Sequence, residues 1–369
     1  MKSKRRKTIV LTGGGTAGHV TPNVALVPEL RKRGYKVYYM GSKDGPERDM
    51  MRELRVPYYA VKTGKFWRYL TWKNLTAPFR VWRGNNMAKL AYKKIQPDVV
   101  FSKGGFVAVP VVTSAQRLGI PTIIHESNMT PGLANKICMR KAKKICCNFP
   151  ETVDTFPEGK AVVTGTPIRK ELYNGDRLKG LEFTGLSGSK PVLLAMGGSQ
   201  GAGAINDAIR GSIDELLESF DIVHLCGEGK LDEAYNDRKG YVQYEYISAE
   251  LPDLFALADI VVSRAGANAI FELLSLKKPA LLIPLGLNQS RGDQILNAES
   301  FEKQGFVEVL DETTMTKQDF LDTVLKIYND RDKYIANMND YTGMNSIQVI
   351  ADIIDEVYRE SKAEKNELS

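Results

Sequence analysis

Thr8-Ile9-Val10-Leu11-Thr12-Gly13-Gly14-Gly15-Thr16-Ala17-Gly18-His19 decides the fold of this chain. A short apolar run ends in a glycine-rich turn, and helical spacing follows. The same succession returns at Val192-Leu193-Leu194-Ala195-Met196-Gly197-Gly198-Ser199-Gln200-Gly201-Ala202. Both stretches read as a strand, a tight Gly-Gly-x-x-Gly turn and a helix. Open α/β sheets bind ligands at the carboxyl ends of their strands, where helix N-termini favour anions. The spacing therefore predicts two α/β domains, each with a binding turn after its first strand.

Working outward, residues 20–33 have helical spacing and stop at Gly34, and 36–40 is a short strand. Residues 98–102, 107–112, 122–125 and 161–164 are strand-like or buried segments bounded by Pro or Gly. The polar, Gly-rich stretch 174–190 is the expected linker, within a boundary zone of 166–190. Beyond it, strands are expected at 191–196, 222–226, 241–246, 259–263 and 279–284. Helices are expected at 204–218 and 268–276. This gives an N-terminal domain over 1–165, a second over 191–345 and a charged C-terminal helix and tail over 346–369. Alternating strands and helices predict parallel sheets.

At 369 residues the chain is long for a single core. Its net charge of +7 hides an asymmetry. Residues 1–160 hold 30 Lys+Arg against 10 Asp+Glu, and 161–369 hold 21 against 34. The basic half suits an anionic partner: nucleic acid, an acidic membrane surface or a phosphorylated substrate. Cys138, Cys146, Cys147 and Cys226 form no metal-binding pattern and read as inert thiols of a reducing compartment. No secretory leader or spanning segment is read, so contact with a membrane would be at its surface.

Residues 54–97 carry ten Lys/Arg, no Asp or Glu, and all three tryptophans, Trp67, Trp72 and Trp82. Three readings stand. Trp beside Lys/Arg suits an anionic lipid surface. A core helix with a solvated basic face has the same composition. Aromatics among cations also stack nucleic-acid bases.

Several short motifs sit where strands end. His19 follows the first turn; a helix N-terminus there would disfavour its cation and suit a general base, while a ring bonded to backbone is the structural alternative. Lys103-Gly104-Gly105 and His125-Glu126-Ser127-Asn128 each follow a strand. A His-Glu pair of this kind is often a local hydrogen bond. Arg264-Ala265-Gly266-Ala267-Asn268 opens a helix that carries Glu272, suited to ribose hydroxyls or simply to the helix dipole. Arg291-Gly292-Asp293-Gln294 suits sugar hydroxyls or a solvated loop. A dinucleotide fold would place an acid after the second strand. Tyr38-Tyr39-Met40-Gly41-Ser42 has none, which disfavours a nicotinamide cofactor.

Taken together and in this order, Gly14–His19, His125–Asn128, Gly197–Ala202, Arg264–Asn268 with Glu272, and Gln294 with Asn297-Ala298 resemble the MurG family of bacterial glycosyltransferases. The resemblance implies a GT-B fold, an α/β architecture of two Rossmann-like domains with parallel sheets facing across a cleft. It implies transfer of N-acetylglucosamine (GlcNAc) from UDP-GlcNAc to the 4-hydroxyl of the muramoyl sugar of lipid I, with inversion and without a cofactor. By matching positions, His19 is the implied base. Thr16, Ala17, Gly18, Asn128, Arg169, Ser199, Ile247, Glu272 and Gln294 would serve UDP-GlcNAc. In that assignment Ser199 and Arg169 meet phosphates, the Ile247 backbone meets uracil, Glu272 the ribose, and Asn128 and Gln294 the sugar. Gly14, Gly15, Gly104, Gly105 and His125 would serve the acceptor, and Trp67, Trp72 and Trp82 an anionic phospholipid surface on the cytoplasmic side of the cell membrane. Other cell-wall synthesis proteins are further expected partners; nucleic acid is not. Ala17 stands where the family commonly has glycine, and Ser127 where it has Gln. A UDP-GlcNAc 2-epimerase, a transferase with another lipid acceptor and a non-catalytic nucleotide-binding module are the competing readings.

Overall fold

The computed structural model describes residues 6–64, 72–198, 201–287, 292–341 and 345–367. Trp67, Ser199, Gln200 and Arg291 lie outside these residues, as do the side chains of Ala17 and Trp72. The chain divides into two compact units. Unit 1 runs to Arg169 and resumes at Asn345; unit 2 is Lys170–Met344.

Unit 1 is built on strands β1 (Thr8–Thr12), β2 (Lys36–Gly41), β3 (Tyr58–Ala60), β4 (Val99–Ser102), β5 (Thr122–Glu126), β6 (Lys144–Cys147) and β7 (Ala161–Val163). They form one sheet in the order β3-β2-β1-β4-β5-β6-β7. Every pairing is parallel. Unit 2 has β8 (Val192–Met196), β9 (Asp221–Leu225), β10 (Tyr241–Tyr244), β11 (Ile260–Ser263), β12 (Ala280–Leu282) and β13 (Val307–Val309), in the order β10-β9-β8-β11-β12-β13. These pairings are parallel too. A parallel sheet buried on both faces needs continuous apolar strands. Ile9-Val10-Leu11 and Val192-Leu193-Leu194 meet that need and are fully buried.

Strand order reverses between β1 and β4 and between β8 and β11. A crevice opens where neighbouring connections run to opposite faces of the sheet. Both glycine turns stand at these points. The expectation of two parallel α/β domains holds.

Three local expectations are corrected. Residues 107–112 open the helix Ala108–Arg117 rather than a strand. A short buried apolar run has no periodicity to separate the two. The expected single helix at 204–218 is two, Gly203–Gly211 and Ile213–Ser219, broken after Gly211. The expected linker contains the helix Arg177–Thr184, capped by the Asp176 carboxylate accepting from the Leu178 N–H and ended by Gly185. That helix belongs to unit 2.

The C-terminal helix Ser346–Glu367 is part of unit 1. Its Ile350, Ile354 and Val357 pack with Ile9, Leu11, Leu26 and Phe101 in one buried cluster. Each such side chain contributes about 1.5–3 kcal/mol. Asp355 accepts from Lys7 (2.9 Å) and Tyr35 (2.9 Å) and pairs with Arg33 at 3.1 Å. Lys143 and Lys144 pair with Glu364 and Glu356. Part of the positive charge of the first half is thus neutralised inside its own unit.

Candidate functional site

In unit 1 the ends of β1, β4, β5 and β7 bring the sequence motifs together. After β1 the chain makes a 3-10 turn over Ala17–His19 and enters the helix Thr21–Lys32. His19 Nδ1 lies 2.9 Å from Thr16 Oγ1, and the His19 N–H donates to the Thr16 carbonyl at 3.1 Å. The loop after β4 lies against this turn at Gly105, which has φ +79°. A Cβ there would collide with the Gly14 carbonyl oxygen and stand 3.4 Å from the His19 ring. Only glycine lets the two loops touch. The His19 imidazole is held neutral, its pKa pushed down to about 4, first by burial and then by the charge of Lys103. These act beside the start of the helix Thr21–Lys32, the cause expected from the sequence.

His125 and Glu126 end β5, and both are buried. A carbonyl can only accept, so His125 Nε2 donates to Gly165 O at 2.9 Å, and its Nδ1 accepts from Lys103 Nζ at 2.8 Å. Burial and Lys103 hold the His125 pKa well below its usual value. Both ring nitrogens are thereby engaged within the protein. Glu126 organises the loop that follows. It accepts from the N–H groups of Ser127 (2.9 Å), Asn128 (3.1 Å) and Gly132 (2.9 Å) and from Asn135 Nδ2 (2.8 Å). This loop carries Asn128. The stretch Gly165-Thr166-Pro167-Ile168-Arg169 follows β7. Thr166 Oγ1 and Arg169 Nε are buried, and among the described residues neither has a hydrogen-bond partner. Buried polar groups without partners are uncommon, each costing about 1–3 kcal/mol, and they mark places where a ligand or water completes the bonding.

In unit 2 the second glycine turn opens the helix Gly203–Gly211. Gly201 has φ +66°, and a Cβ there would collide with the Cys226 carbonyl. Beside this turn lies a cavity of about 80 Å³ lined by Met196, Gly198, Leu225, Glu245, Tyr246, Ile247 and Leu251. After β11, Arg264 precedes the helix Ala267–Ser275, which carries Asn268 and the half-buried Glu272. Arg264 forms an ion pair of 2.6 Å with Glu312, and its guanidinium also donates to the carbonyls of Ile283 (3.0 Å) and Pro284 (3.1 Å). Glu312 accepts from the Gly286 N–H at 2.8 Å. The loop after β12 is therefore tied to the loop after β11. Gln294, on the helix Asp293–Lys303, accepts from the Leu285 N–H at 3.0 Å. Buried Asn297 donates to the Ala265 carbonyl at 3.3 Å.

Sequence reasoning missed Glu312 and the part played by Lys103. Glu312 has no local motif; it is found only through its partner. Lys103 follows a buried strand directly, and that position was its one signal. The four cysteines are buried and free, and burial pushes Cys146 and Cys147 up to about 12. Among the described residues no group of side chains is placed to hold a metal ion. No helix there is long and apolar enough to cross a membrane. Phe79 and Trp82, on the helix Trp72–Ile95, stack with ring centroids 5.8 Å apart, and each is 57% exposed.

Comparison with known proteins places this geometry. Residues 9–147 match the glycosyltransferase family 28 N-terminal domain, and 192–356 match its C-terminal domain. The chain is 58% identical to the UDP-N-acetylglucosamine--N-acetylmuramyl-(pentapeptide) pyrophosphoryl-undecaprenol N-acetylglucosamine transferase of Lachnospira eligens, over 94% of this chain and 98% of the relative. It is 52% identical to the enzyme of the same name from Geobacillus thermodenitrificans, over 96% and 100%. The crystal structure of Acinetobacter baumannii MurG aligns with a TM-score of 0.74 at 26% identity, covering 95% of this chain and 99% of that one. A glycosyltransferase of kitacinnamycin aligns with the same TM-score at 16% identity, a likeness of fold alone. The turns, the strand-end motifs and this near full-length identity agree: the chain has the GT-B fold and belongs to glycosyltransferase family 28, within the MurG group of N-acetylglucosamine transferases.

Proposed function

We propose a division of labour between the two units in the reaction of this family. The enzyme is a glycosyltransferase of peptidoglycan synthesis; it moves GlcNAc from UDP-GlcNAc to lipid I, forming lipid II and releasing UDP. Unit 2 holds the donor. Uracil lies in the cavity beside Met196 and Leu251 and reads the Ile247 backbone. Glu272 accepts from the ribose hydroxyls, Gln294 meets the sugar, and Ser199 meets the diphosphate at the helix N-terminus. Charge grows on UDP as the glycosidic bond breaks, so fixed N–H groups there stabilise the transition state more than the ground state.

Unit 1 holds the acceptor and supplies the base. Gly14, Gly15 and Gly105 bring backbone N–H groups to the lipid diphosphate, Gly104, whose N–H donates to Ser102 Oγ at 3.1 Å, shapes the loop beside them, and Thr16, Ala17 and Gly18 line the acceptor's approach to the donor sugar. Asn128 meets GlcNAc hydroxyls, and Arg169 neutralises diphosphate charge. His19 takes the proton of the attacking 4-hydroxyl. Its lowered pKa supports this role, since the ring is neutral over the whole physiological range. In the tautomer whose Nδ1–H donates to Thr16 Oγ1, Nε2 is the nitrogen that accepts the proton. His125, with both nitrogens engaged internally, acts through its neighbours and not by touching the acceptor. The exposed Phe79–Trp82 pair on a basic, acid-free helix supports seating of unit 1 on the anionic cytoplasmic leaflet, where lipid I is embedded.

The observation that carries this reading is the cavity next to the second glycine turn, with Glu272 and Gln294 on the helices that follow β11 and β12 of the same unit. Crystals soaked with UDP-GlcNAc test it: uridine is expected against Ile247 and Glu272. Uridine bound in unit 1 would reverse the two roles. Radiolabelled UDP-GlcNAc offered with lipid I, and in parallel with other polyprenyl-diphosphate sugars, tests the acceptor; equal use of all of them would overturn it.

A further inference from the structure

Behind the second glycine turn runs a chain of buried polar side chains that the mechanism above does not use. Asn206 on the helix Gly203–Gly211, His224 on β9 and Tyr241 on β10 are all buried. Asn206 Nδ2 donates to the Cys226 carbonyl at 3.0 Å. A carbonyl can only accept, so the other amide atom, Oδ1, is the one that faces His224 Nε2 at 3.0 Å. Nε2 therefore carries a proton. Burial keeps the ring neutral, which leaves Nδ1 bare, and it accepts from the Tyr241 hydroxyl at 2.9 Å. Every bond points one way, from the Tyr241 hydroxyl through His224 and Asn206 to a single backbone carbonyl. Apolar side chains would fill the same space with no partners to satisfy; what the polar chain adds is direction.

The carbonyl at its end is the one on which the glycine turn rests. A Cβ on Gly201 would collide with the Cys226 oxygen and stand 3.0 Å from the Gly227 Cα. The same segment serves the cavity beside the turn. Leu225 and Glu245 line that cavity. The Cys226 N–H donates to the Tyr244 carbonyl at 2.9 Å, and the Gly227 N–H to the Glu245 carbonyl at 3.0 Å. Residues 225–227 thus touch both the turn and the cavity. Arg210 braces the loop beyond them, donating to the Lys230 carbonyl at 2.7 Å and to Gln243 Oε1 at 3.2 Å.

We propose that His224 is a positioning residue for the donor: with Tyr241 and Asn206 it orients the Cys226 carbonyl, and through Gly201 it sets where the second glycine turn stands relative to the neighbouring cavity. The inference rests on the reading that unit 2 holds UDP-GlcNAc, with uracil in the cavity and the diphosphate at the turn. The ribose joins those two groups at a fixed span, so the turn and the cavity have to keep their spacing. Without the Asn206 N–H the Cys226 peptide plane is free to tilt, and Gly201, pressed on its oxygen, moves with it. The turn then loses bonds to the diphosphate while the cavity still takes the base.

The test compares, on the whole enzyme, inhibition by UDP with inhibition by uridine, which lacks the diphosphate. His224→Leu removes the donor to Asn206. The UDP inhibition constant and the KM for UDP-GlcNAc should each rise about tenfold, as for a buried hydrogen bond left unmade, while the uridine constant stays within about twofold. His224→Gln returns an N–H to Asn206 Oδ1 and should recover most of the UDP affinity. A merely structural role would lower the urea midpoint of His224→Leu and leave the ratio of the two constants at its wild-type value; that result overturns the inference. Should His224→Leu not fold, 15N NMR of the wild-type histidines decides. A neutral His224 with its proton on Nε2 supports the inference, and an Nδ1–H ring or a cation at neutral pH overturns it. The donor reading fails by a different result, uridine bound in unit 1 of soaked crystals. Uridine found in unit 2 together with an unchanged ratio in His224→Leu removes the inference alone.

Discussion

The two glycine turns share one design and differ in what stands behind them. Each follows the first strand of its sheet, each lies where strand order reverses, and each is flanked by a loop with a cation, Lys103 in unit 1 and Arg264 in unit 2. In unit 2 that cation is satisfied: Arg264 has Glu312 at 2.6 Å and two carbonyls. In unit 1 the cation has only neutral partners, and a ring of buried titratable groups surrounds it. A loop that binds needs rigid, fully bonded supports. A site that moves a proton needs groups whose pKa values are shifted, and burial together with a nearby charge does this. On the proposed reading, the same backbone device serves holding in one unit and proton chemistry in the other.

The contrast is broken most directly at His19. His19→Ala is expected to lower kcat by about 10²–10⁴-fold, the usual contribution of a general base, with UDP-GlcNAc affinity by calorimetry unchanged. A kcat within a few-fold of wild type would leave unit 1 with no proton role. In unit 2, Glu312→Ala strips the partner from a largely buried Arg264 and should cost about 3–5 kcal/mol in urea unfolding, with a raised KM for UDP-GlcNAc. A loss below about 1 kcal/mol would mean that solvent already screens the pair. Glu272→Gln should weaken UDP-GlcNAc binding by about tenfold or more, the worth of a hydrogen bond to a charged group, with kcat at saturating donor little changed.

A smaller effect comes from pH. His224 in unit 2 is kept neutral down to about 3, mainly by burial and then by Arg210. The unfolded chain takes up a proton near 6.5 and the native one does not, so this contribution is lost as pH falls. The slope approaches about 1.4 kcal/mol per pH unit between pH 6 and 4. His224→Gln should flatten the difference between urea midpoints at pH 7 and pH 5. The smallest change concerns the surface of unit 1. Exchanging Phe79 and Trp82 for Ser should cut partition onto anionic liposomes by about tenfold, since two aromatic anchors are lost. Turnover of a soluble short-chain acceptor should be untouched; equal binding would remove this helix from the membrane.

Much of the fold was legible because its signals are local. Ile9-Val10-Leu11 before Gly13, and Leu193-Leu194 before Gly197, mark strand and turn within a dozen residues each. Elements without such signals were lost. Strand β6 is four residues long and begins at a lysine; it exists because His125 and Glu126 on β5 give Cys146 and Cys147 a partner. The helix Ala108–Arg117 reads as a strand until its packing is seen. Candidate site residues were named where a glycine turn or a strand end announced them, as with His19, Asn128 and Glu272. Glu312 and the Lys103–His125–Ser127 cluster were not, because hydrogen bonds between distant segments leave no spacing to read.

From its sequence alone this protein declares two parallel α/β lobes, a glycine turn in each and a basic, tryptophan-bearing segment in the first. Strand propensity, turn chemistry and charge are properties of neighbouring residues, and the chain displays them in order. Tertiary structure alone decided that the last helix returns to the first unit, that His125 faces inward, and that the Lys103 side chain is buried against His125 and Ser127. These depend on which distant segments meet, and on the low dielectric that forms only once they have met.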